Sequence, residues 1–98
     1  MDATDVTRTL LVHREVLQQF AVRELRLFGS TLRGEAGGAS DIDLLVDYDP
    51  AARVGLFAFV RLQRRLSELL GRPVDLATPD ALHPALRERI LREAVRVA

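Results

Sequence analysis

Residues 28–48 read FGSTLRGEAGGASDIDLLVDY, and the organisation of the whole chain follows from that stretch. Leu25, Leu27 and Phe28 form a short apolar run that stops at Gly29-Ser30, the pattern of a buried strand passing into a turn and a helix start. Arg33 to Ser40 is polar and glycine-rich and reads as a loop. Ile42 to Tyr48 is a second strand, closed by the turn pair Asp49-Pro50. Upstream, Val6, Leu10, Leu17 and Phe20 predict one helix from Val6 to about Phe20. Downstream, Leu56, Phe59, Leu62, Leu66 and Leu69 predict a helix from Leu56 to Leu70 that stops at Gly71, with Leu56, Phe57 and Phe59 assigned to the core and burial by a partner left as the alternative. Pro73 to Ala77 is short enough to be only a strand, and Leu82, Leu86, Ile90 and Ala94 mark a last helix. Helices alternating with three strands imply an α/β (α+β) two-layer domain, a small sheet backed by helices. Periodicity does not fix the strand order.

The chemistry sits in the same stretch. Asp41 and Asp43 are two apart on a strand, so their side chains share a face about 6–7 Å apart along the chain. Their repulsion is about 2.5–3 kcal/mol at an effective dielectric of 20 and about 0.7 kcal/mol in open water, so a partly buried pair needs a cation. The apolar run Ile42, Leu44, Leu45, Val46 favours burial. Magnesium takes oxygen ligands, commonly one or two carboxylates plus substrate phosphates. Gly29-Ser30 offers a cradle for those phosphates, because glycine permits close backbone approach and a helix start presents free N–H groups. Asp75, among Val74, Leu76 and Ala77, either salt-bridges an arginine such as Arg72 or, if its strand lies beside the second, completes a carboxylate triad. In that second case it is also placed to activate an acceptor hydroxyl as general base, the arrangement of two-metal nucleotidyl transfer. Arg33 either braces the loop against Glu35 or Asp41 or contacts phosphate or a partner.

Composition removes other chemistries. The chain's 98 residues amount to one domain, 1–98. There is no cysteine, hence no disulfide and no thiolate, which suits a cytoplasmic setting. All fourteen basic residues are arginine, so lysine-dependent devices such as the P-loop are excluded. Fourteen acidic residues balance them, and the zero net charge gives no bulk attraction to nucleic acid or to a membrane. No export signal or membrane-spanning run is evident in the sequence. His13 and His83 stand alone and are assigned structural roles, the face carrying Arg61, Arg64 and Arg65 reads as a wet helix surface, and Asp47 and Asp49 read as solvated turn residues.

Phe28-Gly29-Ser30, Arg33-Gly34, Ser40-Asp41-Ile42-Asp43-Leu44 and Val74-Asp75-Leu76 together resemble the minimal nucleotidyltransferases of the DNA polymerase β-like superfamily. The resemblance covers nearly the whole chain. It implies a small mixed sheet of nucleotidyltransferase fold. It further implies triphosphate binding at Gly29, Ser30 and Arg33, and Mg2+, as two ions, held by the catalytic carboxylates Asp41, Asp43 and Asp75. It also implies an antitoxin that transfers AMP from ATP to a tyrosine of a HEPN-type ribonuclease toxin. Two rivals remain at this point, an antitoxin that acts by occlusion alone and a small-molecule nucleotidyltransferase. The chain leaves no room for an extra domain to grip a nucleic-acid acceptor, so direct nucleic-acid binding is not expected.

Overall fold

The computed structural model describes residues 1–34 and 41–98. The elements run α1 (Ala3–Val12), α2 (Arg14–Gln19), β1 (Val22–Phe28), α3 (Gly29–Arg33), β2 (Ile42–Tyr48), α4 (Leu56–Leu70), β3 (Val74–Ala77), a 3-10 turn (Pro79–Ala81), α5 (Pro84–Glu93) and β4 (Val95–Arg96). The strands form one mixed sheet in the order β3-β2-β1-β4. β1 pairs antiparallel with β2 and β4, and β2 pairs parallel with β3. Among the described residues, no helix is long and apolar enough to cross a membrane.

The single helix expected over Val6–Phe20 is two. α1 starts with a reciprocal cap, in which Asp5 N–H donates to Asp2 Oδ1 at 3.0 Å and Asp2 N–H donates to Asp5 Oδ2 at 3.1 Å. The Asp5 backbone bond is the main cause holding the Asp2 carboxyl below its ordinary pKa. α1 ends at His13, whose N–H is shared between the carbonyls of Thr9 and Leu10. The chain is re-aimed there, and Leu17 of α2 returns to the core that Val6 and Leu10 occupy.

Side-chain alternation divides the sheet into two unlike faces. Leu25, Leu27, Ile42, Leu44, Val46, Val74 and Leu76 point to one face and are buried against Leu62, Leu66 and Leu70 of α4 and Val6, Leu10 and Leu17 of α1 and α2. The other face carries Arg26, Phe28, Asp43, Asp47 and Asp75, with Leu45 the buried apolar member. Asp47 therefore lies within a strand and not in a turn, and it accepts a 3.2 Å bond from Arg26 Nη2. Asp49 does serve the turn, through its Oδ1 and the Ala51 N–H.

α4 keeps the boundaries that its period predicts but buries less of its stripe. In its first turn Leu56 and Phe57 are 73% and 83% exposed, contrary to their core assignment, while Phe59 packs partly against the core. The same helix closes the sheet's outer edge. Ser67 Oγ accepts from Val74 N–H at 3.0 Å and Gln63 Oε1 accepts from Leu76 N–H at 3.1 Å, so β3's outward donors are satisfied by side chains. At the opposite edge, β4 is a strand the sequence reading lacks. α5 buries none of its residues, although its period predicts a core-facing stripe, and Leu86 is half exposed. His83 has the structural role assigned to it, accepting the Ala85 N–H at 3.1 Å to start α5.

Leu62→Ala should lower unfolding free energy by about 2–5 kcal/mol, the usual result of a cavity at a fully buried leucine. Phe57→Ser should stay within about 0.5 kcal/mol of wild type. Urea denaturation of the two variants checks the split.

Candidate active site

β1 ends at Phe28, and Gly29 turns the chain directly into α3 with φ of +78°, a left-handed conformation that side chains resist. A second constraint acts at the same atom. A Cβ placed on Gly29 would overlap Asp43 Oδ2 and lie 3.0 Å from Asp43 Cγ. The Asp43 carboxylate thus rests against the bare Cα of Gly29, which brings the turn and the first strand acid together. No side chain caps the first turn of α3, and Gly34, at φ of +72°, ends it. Ser30 is half-buried in that first turn and Arg33 is exposed in the last.

The acids come together through strand register. Phe28 pairs with Asp43, and Asp43 pairs with Asp75, so the three form one transverse row across β1, β2 and β3. Adjacent strands are about 4.8 Å apart, which sets the scale of the Asp43–Asp75 approach. Asp41 is exposed just before β2. Burial pushes the Asp43 carboxyl above its ordinary pKa, the negative charges of Asp75 and then Asp41 push it further, and Arg33 opposes them. The other three charged groups named by the sequence therefore all act on Asp43. Asp75 itself is exposed, because β3 buries only the Val74–Leu76 side, so the apolar surroundings expected for it are absent.

Among the described residues, no three acidic or histidine side chains stand close enough to form a ready ion cage. Asp43 and Asp75 are a full strand spacing apart and Asp41 lies outside the strand, so the carboxylates share a face without converging on one point. The donor set is all oxygen and carries mutual repulsion that a divalent cation relieves, which is the chemistry magnesium requires. Glu35 and Ser40, named in two of the sequence expectations, lie outside the described residues.

Sequence reasoning missed Gln63 and Ser67, which hold the N–H groups on either side of Asp75 and so fix its place in the row. The available signal was a pair of uncharged polar residues four apart beside the apolar stripe of α4.

The nucleotidyltransferase domain family matches residues 11–97. The protein adenylyltransferase MntA of Thermococcus cleftensis is 38% identical over 94 residues, 95% of this chain and 93% of that protein. A Methanocaldococcus jannaschii homologue named for the same activity is 37% identical over 99% of both chains. A solved minimal nucleotidyltransferase superposes with a TM-score of 0.77 at 36% identity, covering 97% of this chain and 95% of that one. A chain of a toxin–antitoxin structure solved with AMP-PNP shares the fold, with a TM-score of 0.72 at 21% identity, over 94% of this chain and 72% of its own. The chain belongs to the nucleotidyltransferase domain family and, within it, to the minimal protein adenylyltransferases of the MntA type.

Gly29→Ala combines a strained backbone with displacement of Asp43, and should cost about 1–3 kcal/mol of stability while removing nucleotidyl transfer. Asp43→Asn tests the charge cluster. A carboxyl whose folded pKa is raised destabilises the fold once ionised, so the cost is absent in acid, grows as pH rises through the carboxylate range and is complete above the folded-state pKa. In metal-free buffer, Asp43→Asn should therefore raise Tm by a few degrees at neutral pH, and the gain should vanish toward acid pH. Thermal melts of both proteins across pH read this directly.

Proposed function

We propose that residues 1–98 act as one catalytic domain that transfers AMP from ATP to a tyrosine hydroxyl of a HEPN-type toxin, silencing it as its antitoxin. The observation that carries this reading is the row Phe28–Asp43–Asp75 with Gly29 packed against the Asp43 carboxylate. That row sets a phosphate-compatible turn and two acids side by side on the face of the sheet away from the core. The relatives' named activity supports AMP as the group and protein as the acceptor. Support for the partner comes from a structurally similar chain in the complex of a tri-AMPylated Shewanella oneidensis HEPN toxin with an MNT antitoxin, which has a TM-score of 0.63 at 19% identity.

In this mechanism Gly29, Ser30 and Arg33 bind the triphosphate, with backbone N–H groups, a hydroxyl and a guanidinium as donors. Asp41 and Asp43, with Asp75 beside them, are the residues that would hold Mg2+, which supplies charge neutralisation at the phosphates and a more acidic acceptor hydroxyl. Asp75, exposed on β3, takes the proton from the acceptor tyrosine. The tyrosine oxygen forms a bond to the α-phosphorus, the bond from that phosphorus to the bridging oxygen of the β-phosphate breaks, and pyrophosphate leaves.

Incubation of the protein with α-labelled ATP, magnesium and the HEPN-type protein encoded beside it in its genome, as the antitoxin reading requires, should place label on a tyrosine. Asp43→Asn or chelation of magnesium should lower the yield by about a hundredfold or more. A stable complex that binds ATP and yields no label would overturn transfer in favour of occlusion.

A further inference from the structure

α5 has no buried residue, yet it is not an idle surface helix. With the end of β1 and with α3 it borders an open cavity of about 250 Å³, whose wall includes Phe28, Gly29 and Arg33 on one side and Arg89, Ile90 and Glu93 on the other. Arg89 and Glu93 are four apart on the helix, and Arg89 Nε donates to Glu93 Oε1 at 3.2 Å. That bond fixes the guanidinium through one nitrogen. Its terminal nitrogens have no partner among the described residues, and the side chain is 65% exposed. One cavity beside the carboxylate row thus has two arginines on its wall, one of them from a helix that the transfer mechanism does not otherwise use.

Strand order says what such a cavity receives. In-line displacement places the attacking oxygen and the leaving group on opposite sides of the α-phosphorus. The order β3-β2-β1 sets Asp75, the acceptor's base, on one flank of Asp43, and Phe28 with the cavity on the other. An acceptor arriving over β3 directs the departing pyrophosphate across β2 toward Gly29, Arg33 and α5. Guanidinium groups match phosphate oxygens in a planar, two-pronged geometry and keep their charge at any working pH. We propose that Arg89, held by Glu93, is a phosphate-binding residue of this site that engages the β- and γ-phosphates of the nucleotide and the pyrophosphate as it leaves. The assignment rests on the nucleotidyl-transfer reading above and adds to it the residue that receives the leaving group.

Calorimetric titration of the full chain in magnesium buffer with ATP, pyrophosphate and AMP tests it. Arg89→Ala should weaken ATP and pyrophosphate about tenfold, leave AMP within about twofold, and keep the wild-type melting temperature. Arg89→Lys should recover part of the loss. Equal weakening of AMP and ATP would overturn the assignment by placing Arg89 against the nucleoside, and unchanged binding of all three would reduce it to a surface arginine. A wild-type chain that binds neither ATP nor pyrophosphate would instead overturn the nucleotide reading on which the assignment stands.

Discussion

Like charges gathered on one face of a sheet raise the free energy of the fold, and much of this molecule's architecture serves to hold them there. Asp43 is the centre of that cluster, half-buried, pushed toward protonation by its burial and by Asp75 and Asp41, and opposed by Arg33. Its carboxylate occupies the space that a side chain on Gly29 would fill, so the β1–α3 turn and the acidic strand approach as closely as backbone and carboxylate can. On the other flank, the two side-chain acceptors of α4 pin β3, and Asp75 sits between the pinned N–H groups. The apolar face beneath provides the stabilisation that tolerates this strain, with the core residues of β1 and β2 almost wholly excluded from water.

The sequence and the structure agree where local signals are strong. β2 and α4 keep the boundaries that their composition and period predict, since Asp49-Pro50 and Gly71 are unambiguous stops. Asp43 and Asp75 lie on the strands expected of them and Asp41 immediately precedes β2, because the apolar runs around them fix where those strands are. What was illegible depended on tertiary placement. An amphipathic period says which side of a helix is apolar but not how much of that side the fold covers, hence the exposed Leu56 and Phe57. The same limit explains α5, whose apolar residues lie toward a cavity and solvent in place of a core. Two-residue β4 is too short to have a period, and His13 breaks a helix without any glycine or proline to announce it.

The parallel β2–β3 pair is the feature that makes a three-strand acidic row possible in so short a chain. A parallel neighbour requires a crossover, and α4 supplies it while also forming much of the core and closing the sheet's edge. One helix thus performs three tasks, and the register it imposes, Asp43 beside Asp75, is inherited by the chemistry.

The edge strand β4 bears on how the sheet is completed. Leu25, deep in β1, receives Val97 N–H at 2.9 Å and donates its own N–H to Ala98 O at 3.0 Å, and Val97 is itself buried. β1 precedes the acidic strand in the chain but acquires its second neighbour only from residues 95–98. During folding, then, β1 and β2 can pair while the sheet still has an open edge, and that edge closes only when residues 95–98 reach it. A chain cut before Val95 would carry every residue proposed for transfer and yet leave the backbone of β1 unpaired along that edge, so the last few residues complete a sheet whose chemistry lies entirely upstream of them.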